Sequence, residues 1–177
     1  MLKVEKILHL LACPSCRADS LAVKEYADGN NGLISCAACK RTYDVIDDIP
    51  RFQNVSSEAA LKQHAVYSHY HSLHTNEQTF RTESYSKIVL ATVGCSKSEM
   101  ENSVVLDAGC GIGRYSAVLA SLASNGVVVA MDLSDGVDSA KKNLVEFDNC
   151  YVIQGDVTNP PLRDAVFDIV FSWGVLH

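Results

Sequence analysis

An α/β fold with a parallel sheet is expected for the carboxyl-terminal part of this chain, behind a small metal-held unit at the amino end. Three observations carry that expectation. Apolar runs at 104–107, 127–132 and 151–154 end on or run into a carboxylate, at Asp107, Asp132 and Asp156. Helical stretches separate them, and strand–helix–strand alternation implies parallel pairing with right-handed crossovers. The first run enters Gly109, Gly111 and Gly113 at alternate positions, and a strand, glycine turn and helix in that order build a nucleotide-sized pocket at the carboxyl edge of such a sheet.

Bulk properties set the outer bounds. The chain has 177 residues, 47% of them hydrophobic and 20% charged, which suits an ordered protein of one ordinary domain, or of a small domain and part of a larger one. A net charge of −6 argues against a broad nucleic-acid footprint, although Lys40, Arg41 and Arg51 leave room for a local basic patch. No apolar run reaches bilayer length, so no membrane partner is expected. The tetrapeptide Leu10-Leu11-Ala12-Cys13 loosely resembles a lipoprotein cleavage box, but Glu5, Lys6 and His9 break the apolar region it would need. The cytosol is the expected location.

Residues 1–52 form the first unit. Strand-like runs at 22–26 and 32–35 are joined by the turn Asp28-Gly29-Asn30-Asn31-Gly32. A further strand at 42–46 precedes Asp47-Asp48-Ile49-Pro50, whose turn chemistry ends the unit. Residues 53–102 read as a connector, helical at 57–73 behind a cap at Ser57, loop at 75–84, and helical again at 86–93. Its helices are expected against the sheet, near the mouth of the pocket. Residues 103–177 hold strands at 104–107, 127–132, 151–154 and 166–172, with helices at 114–124 and 136–147.

Four of the seven cysteines pair as Cys13-x-x-Cys16 and Cys36-x-x-Cys39, flanking the hairpin. Without an export signal that spacing favours metal over disulfides. Two tight turns each offer two thiolates, and together they complete a tetrahedron around one structural zinc with no open position. In a unit with a small core the metal replaces missing apolar stabilisation. Cys36→Ser is expected to unfold the ribbon and to leave cofactor affinity in the second domain nearly unchanged. Cys95, Cys110 and Cys150 read as small apolar residues.

The glycine spacing is G-x-G-x-G, not the G-x-G-x-x-G of dinucleotide turns. Asp107, two residues ahead of it, would repel a pyrophosphate but suits a cationic amino group or a sulfonium. Here VLDAGCGIGRYS resembles the first motif of the class I S-adenosylmethionine (SAM)-dependent methyltransferases, and the likeness continues through VVVAMDLS, GDVTNPPL and FDIVFSWGVLH, over roughly 104–177. Residues 10–52, ending TYDVIDDIPRF, look like the zinc ribbon related to the activator subunit of tRNA and protein methyltransferases, which in bacteria occurs fused ahead of methyltransferase domains. The resemblance implies a partial Rossmann-like sheet with strand order 3-2-1-4, the first four of seven strands. His177 falls where the next helix should begin, so a fragment or a truncated product is expected, with one side of the fourth strand unpaired. It also implies a SAM site. Asp107 would accept from the cofactor's amino group, directly or through water, and Ala108, Gly109, Gly111 and Gly113 would let the backbone approach its methionine part. Asp132 would hold both ribose hydroxyls, Leu133 the adenine face, and Asp156 the exocyclic amine with Val157 beside it. Trp173 would face the cofactor or the acceptor, with an ordinary packing role as the alternative.

The expected reaction is methyl transfer by direct displacement at the sulfonium, which needs an acceptor held in line in a dry pocket. The acceptor would be a small metabolite or an RNA base, and the ribbon offers a surface for a protein partner. No catalytic base is identified. Asn159-Pro160-Pro161 precedes the fourth strand and leads into Leu162, so it reads as loop punctuation. His64, His69, His71 and His74 cluster in the connector; His64 and His71 would share a helix face, and with no acid at helical spacing they read as solvated or interdomain groups. Tyr67, Tyr70 and Tyr85 lie among them and could close over the cofactor. The rival expectation is a non-catalytic zinc-ribbon interaction protein on an incomplete fold, and continued strand–helix alternation past His177 would discriminate the two.

Overall fold

Val4, Ile7 and Leu10 recur every third residue, and the chain winds them into one buried ridge of a 3-10 helix, Lys3–Leu10. Eclipsed side chains at i and i+3 are the signature of that helix; the sequence reading assigned no element here. The structure, a computed structural model, describes residues 2–26, 29–52, 58–72 and 83–175. The expected Asp28 of the hairpin turn, the cap at Ser57, His74, most of the loop at 75–84, and His177 lie outside them.

Strands β1 (Leu21–Glu25), β2 (Gly32–Cys36), β3 (Thr42–Ile46) and β4 (Ile49–Pro50) form an antiparallel sheet in that order. The fourth strand was not expected. Asp47 and Asp48 both take left-handed backbone angles, φ 51° and 61°, as a two-residue hairpin of the I′ type requires. Pro50 is tolerated because β4 is an outer strand of this sheet, where one amide donor can be missing.

Helices α1 (Glu58–Ser72) and α2 (Glu83–Val93) form the connector, followed by a short α3 (Lys97–Met100). A capping box starts α3: Ser96 accepts from the Glu99 amide, and Glu99 accepts from the Ser96 amide. The second sheet holds β5 (Val104–Ala108), β6 (Val127–Asp132), β7 (Cys150–Gln154) and β8 (Ile169–Phe171), ordered β7-β6-β5-β8 with every pair parallel. Helices α4 (Arg114–Leu122) and α5 (Gly136–Asn143) make the first two crossovers. The third, 155–168, contains no helix. None of the helices is long and apolar enough to cross a membrane among the described residues.

Side chains alternate strictly between the two faces of this sheet, as a strand's period of two demands. Val128, Ala130, Cys150 and Val152 enter a core with α2, α4 and α5. Leu106, Val129, Met131, Tyr151 and Ile153 enter the other, and there the partners are Val4, Ile7, Leu10, Leu11, Ile34, Val45 and Phe52. The amino-terminal unit is thus the covering layer of one sheet face. Its backbone joins in as well: Leu11 bridges Leu162, and the Phe52 amide donates to the Gln154 carbonyl at 2.8 Å. The amino-terminal unit and the parallel sheet therefore share one core.

Leu11 is fully buried in that core. Leu11→Ala should cost about 2–5 kcal/mol. Followed in urea by cysteine reactivity and by the fluorescence of Trp173, the variant and the unaltered protein should each show one shared midpoint. Two separate midpoints would mean that the layers melt independently.

Candidate functional site

At the carboxyl edge of the parallel sheet the first strand breaks into the glycine turn. Gly109 sits at φ +89°, and a Cβ there would lie 2.2 Å from Val175 Cγ2. Gly111, at φ +54°, carries the ring of His71 so closely that a Cβ would meet Nε2 at 2.8 Å. Neither position accepts a side chain. The turn is tied to the end of the second strand: the Gly109 and Cys110 amides donate to the Met131 carbonyl, at 2.8 and 2.9 Å.

Two carboxylates lie under this turn, with different surroundings. Asp132 Oδ2 accepts from the Gly111 amide at 2.8 Å, and Oδ1 accepts from the Ser134 amide at 2.8 Å and hydroxyl at 2.7 Å. Asp107 is 2% exposed, and the described structure gives it one donor, the Ser116 hydroxyl at 2.6 Å. Burial pushes Asp107 up to about 7, against the pull of that hydrogen bond, and the charge of Asp132 adds to the rise.

A cavity of about 630 Å³ opens above the turn, lined by Gly109, Asp132, Leu133, Asp156, Val157 and Trp173 together with α1 residues including Tyr67, Tyr70 and His71. That volume is ordinary for a small-molecule site. Six of the ten expected cofactor residues therefore share one wall. Asp107, Ala108, Gly111 and Gly113 are not on it: Asp107 and Ala108 are buried strand residues, and the two glycines shape the turn from behind. Asp156 Oδ1 is engaged in its own turn, accepting from the Thr158 amide and hydroxyl.

The wall from α1 was only partly visible in the sequence. Tyr67 and Tyr70 line the cavity as suggested, whereas Tyr85 packs against Tyr115 with ring centroids 5.9 Å apart. His64 and His71 do share a face: His64 Nε2 lies 3.1 Å from Asp135 Oδ1, and His71 Nδ1 lies 2.9 Å from Ser134 Oγ. Ser134 gives its proton to Asp132, so its oxygen accepts from His71, which fixes the Nδ1–H tautomer.

In the amino-terminal unit, Cys13, Cys16, Cys36 and Cys39 bring all four sulfurs within 4.8 Å of one another. The Cys13–Cys39 and Cys16–Cys36 separations are 3.6 and 3.7 Å, close to the edges of about 3.8 Å in a tetrahedron with zinc–sulfur bonds near 2.3 Å. The donor set therefore fits zinc. Burial works against the Cys13 thiolate, yet hydrogen bonds from the Tyr43 hydroxyl and the Ser15 and Cys16 amides outweigh it and lower the thiol to about 6. Asn159-Pro160-Pro161 proves more than punctuation. The Asn159 side chain donates to the Pro14 carbonyl between the first two cysteines at 3.0 Å, and Arg17 donates to the Pro160 and Leu162 carbonyls at 2.7 and 2.8 Å.

Residues 105–177 match the sequence profile of the family described as methyltransferase domain. This match supports a class I SAM-dependent methyltransferase domain in the carboxyl-terminal part of the chain. Over 109 residues, 62% of this chain and 23% of the relative, it is 30% identical to the probable tRNA methyltransferase 9B of Mus musculus. A malonyl-[acyl-carrier protein] O-methyltransferase of Methylovorus sp. (strain MP688) is 35% identical over 75 residues, 38% of this chain and 25% of that protein. The chain thus spans about a quarter of these curated relatives. A solved SAM-dependent methyltransferase from Aquifex aeolicus aligns with 49% of this chain and 46% of its own, at 26% identity and a TM-score of 0.42.

Within the parallel-sheet part of the chain, the raised Asp107 has a consequence for pH. Its folded-state value of about 7 exceeds the ordinary 3.8, so between these values the folded protein holds a proton that the unfolded chain has released. Stability from this group is complete below the lower value and declines as pH rises through the upper one. Chemical denaturation across that range should show the unaltered protein losing stability relative to Asp107→Asn as pH increases. Identical pH slopes for the two proteins would contradict the assignment.

Proposed function

We propose that the protein transfers the methyl group of SAM to an acceptor bound at the open side of the cavity. The sign of the wall carries this reading. Among the described lining residues there are two carboxylates, Asp132 and Asp156, and no lysine or arginine. A sulfonium and an ammonium gain from such a wall, while a pyrophosphate would face like charge with no cation to meet it. The domain match and the glycine turn support the same conclusion.

The residues present fit the cofactor with one adjustment. Gly109 lines the cavity with backbone alone, and the methionine part would lie beside it and Val175, which fills the space next to the glycine Cα. Three donors already occupy Asp132, and counting two lone-pair sites per oxygen leaves one, on Oδ2. Asp132 would therefore hold one ribose hydroxyl, not both. Leu133 and Val157 supply apolar contact for the adenine, and the second oxygen of Asp156 serves its exocyclic amine. Asp107 acts from behind, holding Ser116 at the start of α4. When bound, SAM supplies an activated methyl group, so the chain's own task is to orient the acceptor and exclude water. A cation-free wall favours a small acceptor over a phosphodiester polymer, with an RNA base as the second option. In this reading residues 1–52 are a zinc ribbon, 53–102 a connector whose α1 closes the cavity, and 103–177 the catalytic part.

Titration calorimetry should show binding of S-adenosylhomocysteine and none of NAD. Asp132→Ala should weaken the former by about 1.5–3 kcal/mol, the worth of a charged hydrogen bond. Tighter binding of NAD would overturn the proposal. Elemental analysis should find one zinc per chain, lost in Cys36→Ser, and that loss should lower the melting temperature of the whole protein because the ribbon covers the sheet. A Cys36→Ser protein that keeps its zinc would remove the four-cysteine assignment.

A further inference from the structure

The loop after β6 places Asp132 and Leu133 on the cavity wall, yet residues 133–135 belong to no helix or strand. The side chain of Gln154, at the end of β7, holds them. Its amide nitrogen lies 3.2 Å from the carbonyl oxygens of Leu133 and Ser134 and from Asp135 Oδ1. All three neighbours are acceptors, so the amide oxygen must face the other way. There it accepts from Arg51 Nη1 at 3.0 Å. The same guanidinium bonds Asp138 of α5 through Nη2 at 2.5 Å, the two-acceptor geometry that a planar fork serves best.

Nothing in this arrangement is loose. Gln154 is 3% exposed. The Arg51 amide donates to the Asp44 carbonyl, and the next amide, of Phe52, donates to the Gln154 carbonyl, each at 2.8 Å. The neighbouring cation, Lys141, is held by Asp48 at 2.9 Å. Arg51 Nε is buried with no partner among the described residues, a cost accepted where the other two nitrogens are placed.

We propose that Arg51, at the exit of the four-cysteine unit, is a positioning residue for the cofactor loop. It fixes the orientation of the Gln154 amide, and the amide fixes residues 133–135. The inference rests on the reading that Asp132 and Leu133 meet the nucleoside end of the cofactor. Without the guanidinium the amide oxygen is buried and unmet, and a flipped amide sets that oxygen against three acceptors. The loop relaxes, and the nucleoside contacts relax with it. A purely structural ion pair would change the folded fraction and not the affinity of the folded molecule.

The test compares S-adenosylhomocysteine with 5′-methylthioadenosine, which lacks the amino-acid end. Both are titrated into the unaltered protein, Arg51→Met and Arg51→Lys, well below each melting temperature and with zinc content checked. Arg51→Met should weaken both ligands by the same factor, about tenfold, and Arg51→Lys by a smaller common factor, since one ammonium cannot copy the fork. If Arg51→Met does not fold, Arg51→Lys carries the comparison. Affinities within twofold of the unaltered protein, or a loss seen with S-adenosylhomocysteine alone, would overturn the inference while leaving the cofactor reading intact. If the unaltered protein takes up neither ligand, both fall together.

Discussion

A parallel sheet has two apolar faces, and water must be kept from both. Crossover helices usually do this, but here they serve one face only. The third crossover supplies no helix, because Pro160 and Pro161 lack amide protons, their rings crowd the preceding turn, and each disfavours the helical region for the residue before it. Residues 155–168 accordingly remain irregular. The open face is filled by the 3-10 ridge of Val4, Ile7 and Leu10 and by Ile34, Val45 and Phe52 from the small sheet. The same crossover then docks the first cysteine turn through Asn159 and the Pro160 carbonyl. A loop that fails to cover the sheet thus becomes the seat of the unit that does.

That arrangement changes what the cysteine cluster is for. A tetrahedral site at the end of a free-standing ribbon would stabilise only its own turns. Here Cys13 and Cys36 belong to the same buried cluster as Met131 and Ile153 of the parallel sheet. Tyr43 connects them, its hydroxyl 3.1 Å from Cys13 Sγ and its ring 5.0 Å from that of Phe52. Holding the four sulfurs together therefore holds a layer of that core, and in the proposed zinc reading metal affinity enters the stability of the whole.

The legibility of the sequence follows the range of the interactions. Strands β5, β6 and β7 were readable to within a residue, since each is a continuous apolar run that needs no partner to be recognised. Asp132, Leu133, Asp156 and Val157 were readable for the same reason, as they directly follow strands. The two-residue β4 was not, because its pairing with β3 and not its composition makes it a strand. Arg51 and Gln154 are 103 positions apart, and no local pattern links them. Asp107 was readable from its place in the glycine motif, but its partner was not: the strand's alternation turns it inward to Ser116, nine residues on.

The loop at 133–135 gathers these strands of argument. Being irregular, it draws its order from neighbours, and the neighbours come from both amino-terminal segments. On one side Gln154, oriented by Arg51, takes its carbonyls and Asp135. On the other, α1 reaches it through His64 to Asp135, Ser68 to the Asp135 amide, and His71 to Ser134. These polar contacts anchor a helix whose Leu61 and Val66 remain exposed. Tyr67 and Tyr70 of that helix stand on the cavity wall, and the ring of His71 packs against Gly111 and Gly136. On the Gln154 side Arg51 is largely covered, its side chain 15% exposed. The loop thus takes its order from two unlike supports, a polar contact set from α1 and a covered guanidinium–amide pair from the sheet side, and both the helix and the guanidinium come from outside the parallel sheet that the loop completes.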